Sequence, residues 1–522
     1  MVEQKVVQTG LASGQLRAWL FLLFVLAAGI VLRVYMLGVK SLWLDESFSV
    51  LVAGTPLPLF LRTMWWGEAN MALYYFFLRF WMYLGDSEFW MRSLSALFGI
   101  MTIPAVYALG SRFLSRKAGL FAAALLAVHS YHIRYSQELR AYTLVTLLVV
   151  LSTYAFLRAL EAPDRKVFWV LYALFSALAI YGQVLSVFVL CSQWLVLTPA
   201  RIKRVGILRL LFSGAAIGIL AVPMVAVMLF QNKGQLDWVP RPNLIRIYDV
   251  FQYMAGAEPL GSHYLARIVL LLLYVATWIF ALASIFRFRR EQSTENVSKV
   301  ALQVLILGLI FPIAAMIGIS FVKPIMVPRY LLMCVPAAVL IASQGLIALD
   351  HSFPRLRAIS LAIFLTMIAT SLFSVRDYYG SFATYGHAWG KVTSFILSQQ
   401  EPGDAAVFYA ISGHRVFDYY VKREREAGRQ DASLAVIFPL EFDRAFIESR
   451  IAPYHRVWLV LHQTIPTEET GRKTELIRDS LQERFRLSSE KEFPGTSATR
   501  DEIGTIVVAL YVSATPKLDP PK

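Results

Sequence analysis

Charged residues are scarce in this sequence, and cysteine is nearly absent. Charged residues make up 16% of the 522 positions, whereas 57% are hydrophobic. Soluble domains carry closer to about 25% charged residues, so the composition excludes an ordinary soluble globular protein. Cys191 and Cys334 are the two cysteines and both lie in apolar runs. Neither a disulfide framework nor a thiolate zinc site is therefore expected.

Acidic residues are also outnumbered, 35 against 50 Lys and Arg, which gives a formal net charge of +15. A basic excess can indicate nucleic-acid binding, but its position here favours another interpretation. In membrane proteins, Lys and Arg concentrate in the short loops on the cytoplasmic side. Nucleic acid is therefore not expected as a partner. The basic loops lie at residues 111–117, 164–166, 201–204, 287–290 and 354–357.

Long apolar runs separate these loops. The first run, residues 18–38, is about 21 residues long, which is enough to cross a bilayer as a helix and too long for a signal-peptide core. Residues 71–84 form a shorter, aromatic run that is typical of a helix lying at the membrane interface. The sequence predicts an α-helical polytopic membrane protein with about 11–13 transmembrane helices. The further predicted crossings are residues 89–110, 117–130, 139–160, 167–181, 184–200, 207–230, 264–286, 299–321, 328–348 and 357–374.

The character of the chain changes near residue 376. We expect residues 1–375 to form the membrane domain and residues 376–522 a soluble α/β domain, placed outside the cytoplasm by an odd number of crossings. Within the soluble part, short apolar runs predict strands, and two amphipathic stretches predict helices. The strands are expected at 405–410, 456–461 and 505–512, and the helices at 443–450 and 480–486.

The loops assigned to the outside carry most of the unusual polar residues, which indicates a site on that face. Residues 39–70 contain Asp45 and Glu46, just beyond the first crossing. Acidic groups beside a bilayer are costly unless they face water, a partner or a substrate. A carboxylate here could remove a proton from an acceptor hydroxyl, or it could belong to the first turn of a juxtamembrane helix. Glu68 and Asn70, in the same loop, are either substrate contacts or parts of a capping loop.

A second outside segment, residues 129–142, is dense in His, Tyr, Gln, Glu and Arg. On a helix, Arg134 and Glu138 would share one face because they are four residues apart. Arg134 and Arg140 are candidate ligands of a phosphate, since a guanidinium offers a rigid fork of donors. His129 and His132 suggest a metal, but a third ligand is not defined. The candidate substrate contacts in this segment are His132, Tyr135, Gln137 and Glu138.

The third element, residues 323–330, enters a crossing from outside. Lys323 and Arg329 beside a helix N-terminus form a ready anion site, with Tyr330 next to them. The alternative is that Arg329 and Tyr330 only anchor the helix at the interface by snorkelling.

Five short motifs of this chain, in their order, resemble a known family, the GT-C glycosyltransferases of the family 39 type. This group comprises the bacterial relatives of protein O-mannosyltransferases, aminoarabinose transferase and the lipopolysaccharide galacturonosyltransferases. One departure is that the chain reads Glu-Ala-Asn-Met-Ala at 68–72, where many relatives have His-Pro-Pro. The motifs are Leu-Asp-Glu after the first crossing, Leu-Tyr-Tyr with a following Leu and Trp at 73–81, Glu-Phe and Arg at 88–92, Ile-Arg-Tyr-Ser-Gln-Glu with Arg and Tyr at 133–142, and Pro-Arg-Tyr at 328–330.

The resemblance implies transfer of a sugar from a polyprenyl-phosphate carrier, with Asp45 as the base and Glu46 as its acidic neighbour. Arg134, Arg140, Lys323, Arg329 and Tyr330 would bind the donor phosphate. Because cations can neutralise the leaving phosphate, no metal cofactor is required, although a divalent ion is not excluded. The expected acceptor is a lipid, glycan or protein outside a bacterial inner membrane. A transporter or flippase of lipid-linked sugars, or a non-catalytic binder of them, is the alternative.

Overall fold

The computed structural model describes residues 2–66, 70–230, 239–258, 262–287, 297–353, 355, 357–385, 388–409, 411–428, 434–437, 443–462, 468–494 and 505–513. The chain forms two compact units. The first unit comprises Met1–Leu37 and Val52–Tyr378, and the second comprises Gly38–Leu51 and Tyr379–Lys522. The segment Gly38–Leu51, which carries Asp45 and Glu46, is thus grouped with the C-terminal residues.

The described part of the chain is mostly helical. Short 3₁₀ helices lie at Met82–Leu84, Val184–Ser186 and Pro328–Cys334. The strands β1 to β5 are Ala405–Tyr409, Ala435–Ile437, Arg456–His462, Phe485–Phe493 and Ile506–Ser513. The α-helices α1 to α21 are, in chain order, Val2–Val34, Leu44–Gly54, Leu57–Trp66, Ala72–Trp81, Glu88–Phe113, Arg116–Ala127, Ser130–Ser136, Tyr142–Glu161, Lys166–Gly182, Val187–Trp194, Pro199–Val205, Ile207–Phe230, Leu244–Met254, Tyr264–Arg287, Val297–Ser320, Val335–Ser352, Arg357–Tyr385, Trp389–Gln399, Ile411–Glu426, Arg444–Ile451 and Glu468–Gln482.

Helices occupy all eleven predicted crossings. Among the described residues, eight are long and apolar enough to span a membrane, or up to nine if the pair α10 and α11, bent by 96°, counts as one span. Two predicted crossings hold shorter helices, α9 with 17 residues and α6 with 12. The eight spans are Gln15–Val34, Glu88–Phe113, Tyr142–Glu161, Ile207–Val227, Tyr264–Ile285, Val297–Ser320, Pro328–Ser352 and Arg357–Gly380.

Two spans form the interior of the first unit. Within their apolar windows, 83% of α8 and 89% of the span that ends with α16 are buried, against 17% of the first span. Close helix packing depends on small residues, as is usual in membranes. A Cβ added at Gly345 of α16 would overlap the backbone carbonyl group of Thr277 on α14. A larger residue at position 345 would therefore push the two helices apart.

A buried arginine closes the end of α6. Arg33, which is fully buried, donates to the carbonyl oxygens of Leu126 and Ala127, each at 3.0 Å, and these belong to the last turn of the helix. The last carbonyls of a helix lack intrahelical partners, so a cation there satisfies them and complements the helix dipole. This contact joins α1 to the segment that carries the dense polar motif.

The C-terminal residues of the second unit form a sheet covered by helices on both faces. The strand order is β2-β1-β3-β5-β4, with β1, β2 and β3 parallel and β5 and β4 antiparallel to their neighbours. One face packs its alternate residues, such as Leu459 and Val507, against α20 and α21. On the other face, Trp458 contacts Phe395 of α18. The predicted strands at 405–410, 456–461 and 505–512 and the helix at 443–450 are each found within about two residues.

The helix expected at residues 480–486 is wrong over its second half. The helix α21 ends at Gln482, and the strand β4 starts at Phe485. The charged sequence that follows Phe485 resembles an exposed helix, but it lies at the edge of the sheet, where charged side chains are tolerated because they discourage pairing with other chains.

Candidate functional site

The two neighbouring acids Asp45 and Glu46 lie in different environments. Asp45 and Glu46 occupy the first turn of α2. Glu46 is buried, and its carboxylate accepts a hydrogen bond from the backbone N–H of Trp43 at 3.3 Å. This is the reciprocal bond of a helix-capping arrangement, in which the acid three positions after the cap holds the cap's own N–H. Asp45 is half-buried and keeps partial access to solvent. Glu46 thus helps to cap its own helix, and the catalytic roles predicted for both acids stay predictions.

The segment that carries Asp45 is held by helices of its own unit. The backbone N–H of Leu42 donates to the hydroxyl of Tyr420 at 2.7 Å, and the N–H of Gly390 donates to the hydroxyl of Ser41 at 3.1 Å. The guanidinium of Arg415 lies 5.6 Å from the ring centre of Phe48. These contacts come from α18 and α19, so the C-terminal residues hold the segment before and after Asp45.

The other polar residues of this loop are only partly described. Glu68 lies outside the described residues. Asn70 accepts a hydrogen bond from the N–H of Val184 at 3.4 Å, which ties the start of α4 to the turn after α9. Asn70 thus acts as a connector between two elements of the first unit, and its predicted contact with substrate stays a prediction.

The helix expected through Arg134 and Glu138 ends before it reaches the second residue. The helix α7 stops at Ser136, with Gln137 as its C-cap, so Arg134 and Glu138 do not share a helix face. Arg134 instead forms an ion pair with Glu258, at 2.6 Å, and lies 5.0 Å from the ring centre of Tyr378. Burial by itself would lower the pKa of Arg134, but Glu258 together with the surrounding tyrosines raises this pKa above its ordinary value. Arg134 is a charged group whose counterion is supplied by the chain.

The two histidines of this segment are buried and contact the chain itself. The Nδ1 of His132 lies 2.9 Å from a guanidinium nitrogen of Arg33, so Nδ1 accepts this bond and the proton is on Nε2. Burial, together with the charge of Arg33, lowers the pKa of His132 well below its ordinary value, which keeps the ring neutral. The Nδ1 of His129 accepts from the N–H of His132 at 3.4 Å as the cap of α7. In the part of the chain that the structure describes, no three His, Cys, Asp or Glu side chains are grouped to hold a metal.

Gln137 closes the end of the first span. Its amide nitrogen donates to the carbonyl oxygens of Arg33 and Tyr35, at 3.1 and 2.8 Å, and its oxygen accepts from the hydroxyl of Tyr378 at 3.0 Å. These bonds satisfy carbonyl groups at the C-terminus of α1. Its predicted role in binding substrate stays a prediction, and the amide already has at least three partners within the protein.

A cluster of tyrosines joins two of the predicted motifs. Tyr135 packs edge-on against Tyr142 with ring centres 5.1 Å apart, and Tyr142 lies 6.4 Å from Tyr330. Tyr131 stacks on Tyr253 at 4.4 Å. Burial and the nearby Glu138 raise the pKa of Tyr135, so its hydroxyl stays protonated. The segment 129–142 and the entry of the span at Pro328 are thus parts of one aromatic core.

Three of the predicted phosphate ligands occupy different environments. Lys323 is exposed. Arg329, in the first turn of its 3₁₀ helix as expected, is 8% exposed and lies 6.0 Å from the ring centre of Tyr330. Arg140 is half-buried, with a guanidinium nitrogen 3.5 Å from the hydroxyl of Tyr75. All three lie at the entries of membrane spans, and they remain candidates for the donor phosphate.

Glu258 was missed by sequence reasoning, although it is the counterion of Arg134. It is 3% exposed, and its carbonyl oxygen accepts from the guanidinium of Arg267 at 3.2 Å. Nothing in the local sequence around Glu258 indicates that its ion-pair partner lies more than a hundred positions away.

Comparison with known proteins confirms the resemblance. Residues 72–231 match the family model described as dolichyl-phosphate-mannose-protein mannosyltransferase. The chain is similar to ArnT from Cupriavidus metallidurans in the apo state, with 12% identity, 95% of this chain and 98% of that chain covered, and a TM-score of 0.55. The same protein bound to undecaprenyl phosphate gives 12% identity, 96% and 99% coverage, and a TM-score of 0.52.

A second match is an archaeal protein. It is the oligosaccharyltransferase AglB from Archaeoglobus fulgidus in complex with an inhibitory peptide and a dolichol-phosphate, with 10% identity, 97% of this chain and 75% of that chain covered, and a TM-score of 0.54. No curated protein sequence matches the chain. The protein therefore has the GT-C fold of membrane glycosyltransferases, with a set of transmembrane helices and an α/β region at its C-terminus.

Proposed function

We propose that this protein is a glycosyltransferase that moves a sugar from a polyprenyl-phosphate donor to an acceptor outside the membrane, with Asp45 as the general base. The family model and the fold support the class of reaction. The observation that carries the assignment of the base is the separation of the two acids. Glu46 is used to cap α2, whereas Asp45 is half-buried at the positive end of the same helix, where a carboxylate is favoured.

The chemistry assigned to Asp45 is a proton transfer coupled to displacement at the sugar. Asp45 takes the proton of an acceptor hydroxyl or amine, and the freed acceptor atom forms a bond to the anomeric carbon. The bond between that carbon and the phosphate oxygen breaks, and the polyprenyl phosphate leaves with the electron pair. Because the acceptor attacks opposite the leaving group, the configuration at the anomeric carbon is inverted.

The leaving phosphate needs cations, and we assign this role to Arg140, Arg329 and Lys323. Two of the matched structures hold undecaprenyl phosphate or a dolichol-phosphate. That chemistry fits basic side chains at the entry to membrane spans, where a lipid tail can lie in the bilayer. Arg134 takes a weaker part, because Glu258 already neutralises it. With cations for the phosphate and a carboxylate for the acceptor, the proposed reaction needs no metal ion.

The orientation in the membrane is part of the proposal. The basic loops lie on the cytoplasmic side of a bacterial inner membrane, and Asp45 and the C-terminal residues lie on the opposite side. The acceptor is accordingly a lipid, glycan or protein of the cell envelope.

Transfer by the purified protein tests the proposal. The assay supplies a pool of polyprenyl-phosphate sugars and candidate acceptors, with and without a chelator, and follows the glycosylated product by mass spectrometry. Asp45→Asn is expected to lower the rate by about 10²–10⁴-fold, the usual contribution of a positioned general base. Glu46→Gln is the matched control and should lower the rate of transfer by a smaller factor. Transfer at the wild-type rate by the Asp45→Asn variant would remove Asp45 from the mechanism, and movement of lipid-linked sugar without any new glycosidic bond would identify a transporter.

A further inference from the structure

A groove in the second unit carries basic residues that the proposed mechanism does not use. It lies between α18 and the edge strand β4. We refer to it as the α18–β4 groove, and its lining side chains are Lys391, Ser394, Phe395, Ser398, Lys491 and Phe493. Its two lysines and two serines are exposed, and Phe493 forms part of the floor at 8% exposure.

A β-bulge gives this side of the sheet its charge. In an antiparallel pair, residues directly opposite each other lie on the same face. Lys491 pairs with Val508 and Arg486 pairs with Val512, so both cations lie on one face. The register shifts between Leu487 and Ser489. In a regular strand Arg486 would instead share a face with Glu490 and Glu492, because the side-chain period is two.

The acids of β4 lie on the opposite face. Glu490 pairs with Ala509 and Glu492 pairs with Val507, whose side chains belong to the core under α20 and α21. Glu490 also forms an ion pair with Arg478 of α21, at 2.8 Å. Bulges are built features that redirect side chains. Here the bulge sorts a strand of mixed charge into a basic face and an acidic face.

The cations of the basic face are available for a ligand. Among the described residues, Lys391, Arg486 and Lys491 form no ion pair with a carboxylate. The ammonium of Lys491 lies over the rings of Phe395 and Phe493, 4.6 and 5.3 Å from their centres. The strand positions of Arg486 and Lys491 are about 13 Å apart, at roughly 3.3 Å per residue between their opposite partners. A ligand that engages both must carry more than one anionic group.

We propose that the α18–β4 groove binds an anionic saccharide, a sugar chain that carries phosphate or carboxylate groups, and that this saccharide is part of the acceptor. The cations match its anionic groups, the hydroxyls of Ser394 and Ser398 match its hydroxyls, and Phe395 offers an apolar surface to a sugar ring. The claim that this saccharide is part of the acceptor rests on the proposed transferase function, whereas its binding in the groove does not.

A bare lipid surface fits the groove less well. Interfacial binding needs apolar side chains that insert among the lipids. The two phenylalanines of the groove lie beneath Lys491, and Leu487, which is 48% exposed, pairs with Tyr511 on the opposite face. The groove thus presents charge and hydroxyls rather than an apolar anchor.

Direct binding to the full-length protein in detergent tests the proposal without any turnover. The probes are short dextran oligosaccharides, either neutral or carrying phosphate esters, titrated by calorimetry. We expect the phosphorylated probe to bind at least about tenfold more tightly than the neutral one, with affinity falling as salt rises. The triple variant Lys391→Gln, Arg486→Gln, Lys491→Gln should lose about tenfold or more of that affinity.

Two matched variants separate the groove from net charge. The variant Lys422→Gln, Arg472→Gln, Lys473→Gln removes three positive charges from other helices of the same unit and should retain affinity within about twofold. The exchange Arg486→Leu with Leu487→Arg keeps the composition and moves the guanidinium to the other face, so it should weaken binding as much as Arg486→Gln alone. Thermal melting of each variant shows that it is folded before its affinity is compared.

Several results would overturn the proposal. One is an equal loss of probe affinity in the groove variant and in the control variant. Another is unchanged probe binding after the Arg486 and Leu487 exchange. A third is that the protein binds phosphatidylglycerol vesicles in preference to the phosphorylated probe, and that the probe does not compete for this binding. A protein that transfers sugar but does not bind the probe would refute the groove and leave the transferase function standing. A protein that binds the probe through these residues but transfers no sugar would refute the function and leave the groove standing.

Discussion

Two short segments of this chain are rich in polar residues, and they use them in opposite ways. In residues 129–142, three polar side chains have partners within the chain: Arg134 pairs with Glu258, His132 accepts from Arg33, and Gln137 bonds to backbone and side-chain groups. In residues 41–49, Glu46 caps its own helix and Asp45 is half-buried beside it. A high density of polar residues therefore indicates a buried network in one segment, while a single acid carries the proposed chemistry in the other.

The largest expected effect comes from breaking the ion pair between Arg134, in residues 129–142, and Glu258. Glu258→Gln leaves Arg134, whose side chain is only 11% exposed, without its counterion, which should destabilise the first unit by about 3–5 kcal/mol. The double variant Glu258→Gln, Arg134→Met removes both charges and should recover much of that loss. Thermal unfolding of the detergent-purified protein measures both. Normal melting of the single variant with loss of transfer would mean that Glu258 belongs to the reaction instead.

A smaller effect is expected from the two arginines assigned to the donor phosphate. Arg140→Ala or Arg329→Ala should weaken use of the lipid-phosphate donor by about 1–3 kcal/mol each, the scale of a lost charge-assisted hydrogen bond. Lys at either position should rescue only partly, because an ammonium lacks the planar fork. The measurement is the donor-concentration dependence of transfer, with the exposed Arg241→Ala as control. Unchanged donor dependence in both variants would make these residues interfacial anchors.

The segment of residues 129–142 should also make the stability of the protein depend on pH. The folded protein keeps His132 neutral because burial lowers its pKa, whereas the unfolded chain takes up a proton below about pH 6.5. Stability from this residue is therefore complete above that pH and is lost as the pH falls, by up to about 1.4 kcal/mol per pH unit. His132→Asn should flatten the loss of stability between pH 7 and pH 5, and the exposed His351→Asn should not. Equal slopes in the wild type and the His132 variant would show that this histidine is not held neutral.

The smallest effect concerns the support of Asp45. Tyr420→Phe removes the hydroxyl that accepts from the N–H of the buried Leu42, at a cost of about 1 kcal/mol or roughly fivefold in the rate of transfer. A positioning role predicts a fall in kcat with little change in KM. The neighbouring Tyr419→Phe, whose hydroxyl accepts from Arg423, is the control. A loss confined to KM, or equal losses in both variants, would contradict positioning by Tyr420.

Much of the fold could be predicted from local patterns. The apolar runs located helices at all eleven predicted crossings, and Arg329 lies, as expected, at the N-terminus of a helix. The strands β1 and β3 are short, strongly apolar and buried, so hydrophobic pattern alone identifies them. These features depend on residues close together in sequence.

The features that were missed depend on distant residues. The i, i+4 spacing of Arg134 and Glu138 suits a helix, but α7 ends at Ser136 and the counterion comes from residue 258. The strand β4 has the composition of a charged helix, and only its pairing with β5 makes it a strand. The bulge that sorts its charges is visible only in the register. The candidate acid Asp45 could be identified from sequence, while the separate role of Glu46 required the hydrogen bond to Trp43.

The most direct test of this account measures stability and transfer together in two variants, Asp45→Asn and Glu258→Gln. The two variants are expected to give opposite outcomes. Asp45→Asn should melt like the wild type and transfer sugar about 10²–10⁴-fold more slowly, whereas Glu258→Gln should melt earlier and transfer normally for each folded molecule. An Asp45→Asn protein that transfers at the wild-type rate, or a Glu258→Gln protein that is stable but inactive, would contradict it.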